Sequence, residues 1–230
     1  MTTVFIISAP SGSGKSTLVN GARARVKGLQ FSISYTTRPP RGSEVNGREY
    51  FFVTREEFED MVRRDEFLEH ADVFGNYYGT ARRFLRTAQH AGEDLLLDID
   101  VQGAAQIKSK IPEAVSIFIL PPDRKTLESR LRDRGQDAEE VIERRLATAT
   151  REIENYGKYD YILVNDRLDE SIEALRSILV SERLRRPGAQ RSADDSDTLA
   201  RAERFRLDNV RERVQPILAS FVTTAAPGGR

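Results

Sequence analysis

Four short apolar runs recur along the chain, at Val4 to Ile7, Leu95 to Ile99, Val115 to Leu120 and Tyr161 to Val164. They read as buried parallel strands. Between and after them lie segments whose apolar residues keep helical spacing: Lys15 to Val26, Arg82 to Ala91, Val101 to Lys108, Asp123 to Arg132 and Glu170 to Leu184. This alternation predicts an α/β fold, a doubly wound parallel sheet flanked by helices, in which ligands bind at the carboxyl ends of the strands.

Two regions interrupt the alternation. Residues 38 to about 81 hold a short amphipathic stretch around Glu56 to Val62 between segments rich in aromatic and turn residues, which predicts a small inserted lobe of β-hairpins. Residues 124 to 157 are charged and helical, with Gly135 breaking the run. Both are candidates for movable pieces over a site. After Arg186, "PGAQRSADDSD" reads as a linker, and the spacing of Leu199, Phe205, Leu207, Val210, Val214, Ile217, Leu218 and Phe221 predicts one more amphipathic helix, from Thr198 to about Val222. The last stretch, "TTAAPGGR", reads as a frayed end.

Composition narrows the chemistry. The 230 residues are 39% hydrophobic and 31% charged, which is the profile of a soluble globular chain with one sizeable core. No apolar run approaches the ~18 residues of a membrane span. Met1-Thr2-Thr3 leads directly into Val4-Phe5-Ile6-Ile7 without the features of a signal peptide, so a cytoplasmic location and no membrane partner are expected. Zero cysteines exclude disulfides, thiolate metal sites and a cysteine nucleophile, and only His70 and His90 could serve as imidazole bases or ligands. Lys plus Arg balance Asp plus Glu at 36 each, so no excess positive charge favours long nucleic acids. A small anionic ligand held by local arginines fits better.

"SAPSGSGKST", residues 8 to 17, points to that ligand. Gly12 and Gly14 allow successive N–H groups to turn toward phosphate oxygens as the chain enters a helix. Lys15 supplies a mobile charge for the outer phosphates, Ser16 can reach a magnesium ion and Thr17 continues the helix start. The usual pattern begins with glycine where this chain has Ala9, which fits at the loop entrance if its φ stays below zero.

The segments that follow narrow the class. "SISYTTRPPRGSEVNGREYFF", "EFLEHADVFGNYYGT" and "LLLDIDVQGA" together resemble the guanylate kinase family, enzymes that move a phosphoryl group from ATP to GMP. The resemblance runs from about Val4 to Leu184, takes in "RLRDRG", "ERRL" and "VND", and leaves the C-terminal segment unexplained. It implies a P-loop NTPase-like core (1–37, 82–123 and 158–186), a GMP-binding lobe (38–81) and a helical lid (124–157), followed by a linker (187–197) and a C-terminal helical extension (198–230).

The resemblance also assigns residues. ATP contacts are implied for Ser11, Gly12, Ser13, Gly14, Lys15, Ser16, Thr17 and, at the adenine, Asn165. Arg38 and Arg41 bracket the stiff Pro39-Pro40 pair as two guanidinium forks suited to a phosphate monoester. By resemblance they hold the phosphate of GMP with Tyr50 and Tyr78. Glu69 matches the acceptor facing guanine's N–H groups, with Ser34 and Thr80 as hydroxyl partners. Asp98 and Asp100 emerge on one face at a strand's carboxyl end. The resemblance gives Asp100 to the guanine side, while Asp98 is a candidate for magnesium, its waters or the clamp arginines; an aspartate capping the helix near Val101 is the plain alternative.

Phosphoryl transfer needs positioned charge more than covalent chemistry. Arg130, Arg134 and Arg145 match the lid arginines and, with Lys15, form the expected catalytic set; Mg2+ is the expected cofactor and ATP the donor. Arg132 and Arg144 read as a solvated helix face, and His70 and His90 are given no catalytic role. Two rival readings remain: a kinase for another small phosphate ester, and a non-catalytic guanylate-kinase-like module that binds phosphopeptides. Monomer or homo-oligomer stays open.

Overall fold

The computed structural model describes residues 2–73, 75–133, 138–192 and 195–222. The elements begin with β1 (Val4–Ser8), α1 (Lys15–Arg25), β2 (Leu29–Phe31), β3 (Tyr35–Thr36), β4 (Phe51–Phe52) and α2 (Arg55–Arg63). They continue with β5 (Phe67–Val73), β6 (Asn76–Ala81), α3 (Arg82–Ala91), β7 (Asp94–Asp98), α4 (Val101–Lys110) and β8 (Val115–Leu120). The last are α5 (Arg124–Asp133), α6 (Glu139–Ile153), β9 (Tyr161–Val164), α7 (Leu168–Leu184), α8 (Asp195–Glu203) and α9 (Leu207–Phe221). Contacts divide the chain into two compact units, Met1–Ser8 with Val26–Ser116, and Ala9–Arg25 with Ile117–Arg230.

In the first unit, β2, β7 and β1 lie in that order and pair in parallel, with Leu29 beside Asp94 and Val4 beside Leu95. Every residue of β1 is buried, as a strand covered on both faces requires. Asp94, itself buried, accepts the Thr3 amide at 2.9 Å and so fixes the start of the β1 to β7 pairing. α3 packs on β2 and β7, and α4 on β1.

The same unit carries a second sheet in the order β4-β3-β6-β5. β5 and β6 form an antiparallel hairpin from Phe67 opposite Ala81 to Val73 opposite Asn76. The expected lobe of hairpins is present only in part, because β4 pairs with β3 in parallel, not antiparallel, register. A parallel pair needs a crossover of about a dozen residues or more, and the Pro-rich segment 37–50 supplies it. Phe58, Met61 and Phe67 form the lobe core, with Tyr35, Val53, Val62 and Tyr77 against it. α2 reaches this core from a capping box: Thr54 Oγ1 accepts the Glu57 amide at 3.1 Å while Glu57 accepts the Thr54 amide at 2.8 Å.

In the second unit β8 and β9 pair in parallel, Ile117 opposite Tyr161 through Leu120 opposite Val164. α1 packs on α7, and α5 on α6. The C-terminal segment differs from the single helix expected: α8 and α9 are separate, and the chain between them lies along β9. The Ile162 amide donates to Phe205 O at 2.8 Å and the Leu207 amide to Asp160 O at 3.1 Å. Arg206 lies over the Tyr161 ring at 4.8 Å and bonds Glu182 at 3.0 Å. Backbone pairing to the sheet edge therefore interrupts a pattern whose apolar spacing alone would continue as helix. Ala202, Val210, Val214 and Phe221 are buried, so this extension is part of the core of its unit. Residues 223–230, expected to fray, lie outside the described residues. Among those described, no helix is long and apolar enough to cross a membrane.

Candidate active site

The phosphate-loop sequence follows β1 directly and ends where Lys15 opens α1. Gly12 and Gly14 hold φ of 92° and 82°, the left-handed region that favours glycine. Space matters as much as angle. A Cβ on Gly12 would stand 2.9 Å from Leu127 and Leu131 of α5, and one on Gly14 would stand 2.5 Å from Asn165 Nδ2. Ala9 keeps a negative φ, which explains why a methyl group is accepted there.

Asn165 follows β9 and is 5% exposed. Its own amide donates to Leu120 O at 2.8 Å, and its side-chain Nδ2 donates to Ser13 O at 2.7 Å. Arg130 of α5 donates from Nη2 to Asn165 O at 3.1 Å. One asparagine thus braces the loop and fastens an arginine to the same frame. Among the described residues Ser13 Oγ and Arg130 Nη1 are buried without a hydrogen-bond partner. Buried donors in that state normally find a partner, so both are suited to an anionic ligand.

Ser11, Ser16 and Thr17 are exposed and Lys15 partly buried, and no acidic residue occupies the first turn of α1 to oppose an anion. Arg145 is partly buried on α6, while Arg144 is exposed. Arg132 pairs with Glu128 at 3.0 Å and with Glu139, joining α5 to α6 as a solvated ion-pair bridge. Arg134, expected beside Arg130, lies outside the described residues.

The expected acceptor residues lie in the other unit. Arg38 is 8% exposed. It donates from Nη1 to Pro39 O at 2.8 Å and from Nη2 to Glu44 Oε1 at 3.0 Å. The other Glu44 oxygen accepts the Arg41 amide at 2.7 Å. Burial alone would weaken the Arg38 charge, but Glu44 and the Tyr78 hydroxyl outweigh it and hold its pKa above the ordinary value. Its guanidinium lies 5.4 Å from the Tyr50 ring centroid, and the Tyr50 and Tyr78 rings meet edge to face at 5.9 Å. The Arg41 side chain is exposed. Arg38, Tyr50 and Tyr78 form one cluster, with Arg41 joined to it through Glu44.

Glu69 is 3% exposed on β5, opposite Thr80 of β6. Burial, reinforced by the nearby Asp100 charge, pushes its pKa up to about 7, against the opposing pull of Thr80 and Lys110. Thr80 Oγ1 is buried without a hydrogen bond of regular geometry. Tyr78 and Thr80 are alternate residues of β6 and stand opposite Ala71 and Glu69. Tyr78 and the Glu69–Thr80 pair therefore share one face of the lobe sheet, about 7 Å apart along the strand.

Asp100 is the N-cap of α4, its Oδ1 accepting the Gly103 amide at 2.8 Å. The capping alternative therefore describes part of its role; its charge also faces Glu69. A Cβ on Gly103 would stand 2.5 Å from Glu69 Oε2, so the buried carboxylate occupies space that only glycine leaves open. Ser34 is partly buried and accepts the Phe51 amide through its carbonyl at 2.9 Å, and Asp98 ends β7, partly buried.

Sequence reasoning overlooked Glu44 and the α4 side chains Gln102, Gln106 and Lys110, described below. The first carried a weak signal, an acid three residues after Arg41; the others form a polar stripe at spacing of four.

Among the described residues no group of three or more His, Cys, Asp or Glu side chains could hold a metal ion. Magnesium is commonly held by substrate phosphates, waters and only one or two protein groups. The exposed hydroxyl of Ser16 on the first turn of α1 fits that sparse donor set.

Comparison with known proteins agrees with this geometry. The sequence model of the family described as guanylate kinase matches residues 1–182. The chain is 60% identical over 228 residues to a guanylate kinase of Koribacter versatilis (strain Ellin345), covering 98% of each. It is 53% identical over 186 residues to a guanylate kinase of Escherichia coli (strain K12), covering 80% of this chain and 89% of the other. Among solved structures, a guanylate kinase from Anaplasma phagocytophilum superposes with a TM-score of 0.66 at 34% identity, covering 80% of this chain and 87% of that one. Fold and relatives define the chain as a nucleotide kinase, a phosphotransferase built on an α/β core. Within that class, it belongs to the guanylate kinase family.

Proposed function

We propose that the protein transfers the terminal phosphoryl group of ATP to GMP, with dGMP as a further acceptor, giving ADP and GDP in the cytoplasm. The observation that carries this reading is the buried Glu69 carboxyl beside the buried Thr80 hydroxyl, on the same sheet face as Tyr78 of the Arg38 cluster. Ionised, Glu69 accepts from guanine's ring N–H and exocyclic amino group, while Thr80 and Ser34 meet the remaining polar edge and Asp100 supports that side. Adenine would leave the carboxylate unpaired in a buried site, a heavily penalised arrangement. Arg38, Arg41, Tyr50 and Tyr78 take the GMP phosphate.

On the donor side, the amides of residues 11–17 and the Lys15 ammonium hold the ATP phosphates. Asn165 has committed Nδ2 to the loop, which leaves Oδ1 to accept from the adenine amino group. Magnesium, carried on the ATP phosphates and held by Ser16, with Asp98 acting through water, would supply charge neutralisation. Arg130, Arg134 and Arg145 offset the charge of the transferring group. The GMP phosphate is itself the nucleophile, so no histidine or other general base is required. Transfer needs the two phosphates held in line with water excluded.

ADP formation measured with each nucleoside monophosphate in turn, for the wild type and Lys15→Ala, tests this reading. GMP and dGMP are expected to be turned over far better than AMP, CMP or UMP, and Lys15→Ala to lose at least about a hundredfold in kcat, the scale for removing a transition-state charge contact. Turnover preferring AMP or a pyrimidine nucleotide would refute it.

A further inference from the structure

β5 is an edge strand of the lobe sheet, so among the described residues the main-chain groups on its outer side have no strand to pair with. Side chains of α4 satisfy them instead. Lys110 Nζ donates to Leu68 O at 2.5 Å. Gln106 Nε2 donates to His70 O at 2.7 Å, and Gln106 Oε1 accepts the His70 amide at 3.3 Å. Gln102 Nε2 reaches Asp72 O at 3.4 Å. The helix contributes every fourth residue and the strand every second, running in opposite directions. The spacing matches because four helical residues rise about 6 Å and two strand residues about 7 Å. Gln106 makes both bonds that a neighbouring strand residue would make.

Glu69 lies between the two best-held carbonyls, those of Leu68 and His70, with its carboxyl against Gly103 of the same helix. We propose that Gln106 and Lys110 are positioning residues for guanine recognition: by fixing the main chain on both sides of Glu69 they set where its carboxylate meets the base. The inference rests on the reading of Glu69 as the guanine acceptor. Lys110 acts in a second way. The groups facing Glu69 are Thr80 from β6, Asp100 from the start of α4 and Lys110 from its end; Asp100 favours the protonated acid and Lys110 the charged one. Lys110 thus helps keep the acceptor ionised.

Steady-state kinetics of Lys110→Met, Lys110→Arg and Gln106→Leu test this, with Glu69→Gln as reference. Lys110→Met is expected to raise KM for GMP about tenfold, the scale of one lost charged hydrogen bond, with kcat and KM for ATP within about twofold. It should also move the acid limb of the kcat/KM profile for GMP to higher pH, and Lys110→Arg should restore that limb. Gln106→Leu should raise KM for GMP similarly without moving the limb. Unchanged KM for GMP in both Lys110→Met and Gln106→Leu, or equal losses for GMP and ATP, would overturn the inference. Lys110 is exposed, so if Gln106→Leu fails to fold, the two Lys110 variants decide alone. Glu69→Gln separates the two levels: retained GMP preference in that variant refutes the reading of Glu69 itself, whereas lost preference there with unaffected ladder variants refutes only the positioning role.

Discussion

The side-chain amide of Asn165 lies 2.7 Å from the Ser13 carbonyl, in the space that the missing side chain of Gly14 leaves free. Two residues far apart in sequence therefore shape one loop. Gly14→Ala places a Cβ 2.5 Å from Nδ2 at a φ of 82°. KM for ATP should rise and kcat fall, together at least about a hundredfold in kcat/KM, because misplaced donor phosphates lose in-line alignment. Asn165→Ala should cost about ten- to a hundredfold in kcat/KM for ATP. Calorimetric GMP affinity should stay within about twofold in both, since the residues proposed for GMP belong to the other unit.

The phosphate clamp proposed at Arg38 would depend on fork geometry as well as charge. Arg38 spends two nitrogens on Pro39 O and Glu44. Arg38→Lys keeps the charge but loses the planar fork, and kcat/KM for GMP should drop at least about tenfold with KM for ATP unchanged. A lysine variant with wild-type kinetics would reduce the clamp to a point charge.

If Glu69 meets guanine as proposed, acceptor binding depends on pH. With its pKa pushed up to about 7 by burial, the carboxylate that guanine needs is lost as pH falls through that value, so kcat/KM for GMP should fall on the acid side of about pH 7. KM for ATP should stay flat there. The stability consequence has the opposite sense. A folded-state pKa above the ordinary 4.5 means the native state holds this proton more tightly, so the associated stability is present below the ordinary value and lost as pH rises through about 7. Glu69→Gln should therefore be more stable than the wild type at pH 8, by at most about 3 kcal/mol, and the gap should close below about pH 4.5. Equal melting temperatures at both pH values would show that the buried carboxyl carries no such cost.

The C-terminal helices should behave as core. Phe221 is buried, and the segment before α9 bonds Ile162 of β9 and Asp160 just before it. Phe221→Ala should cost about 3 kcal/mol, lowering Tm by about 6–12 °C at this chain length. A fragment ending at residue 186, with the Ile162 amide deprived of Phe205 O and α7 uncovered, should melt lower still or aggregate. Unchanged melting of that fragment would contradict the packing described.

Much of this was legible along the chain because burial on both faces leaves a continuous apolar run, as in β1, β7, β8 and β9, and because Gly12, Gly14 and Lys15 have few other uses in that spacing. β2 was not: its three residues are only partly buried and carry no distinctive pattern. β3 and β4 are two residues each, too short for periodicity, and their parallel pairing is set by the crossover 37–50. The break between α8 and α9 is made by main-chain bonds to β9, which leave no mark in side-chain pattern. The ladder from α4 to β5 escaped for the same reason, since its acceptors on β5 are carbonyls.

Whether Glu69 selects the base is decided by the ratio of kcat/KM for GMP to that for AMP, measured on the wild type and on Glu69→Gln in one assay at pH 8. The wild-type ratio is expected to be at least about a thousand, in the range reached by sites that leave buried polar groups unpaired with the wrong substrate, and to collapse in the variant. A Glu69→Gln enzyme that still chose GMP as strongly as the wild type would contradict that role for Glu69.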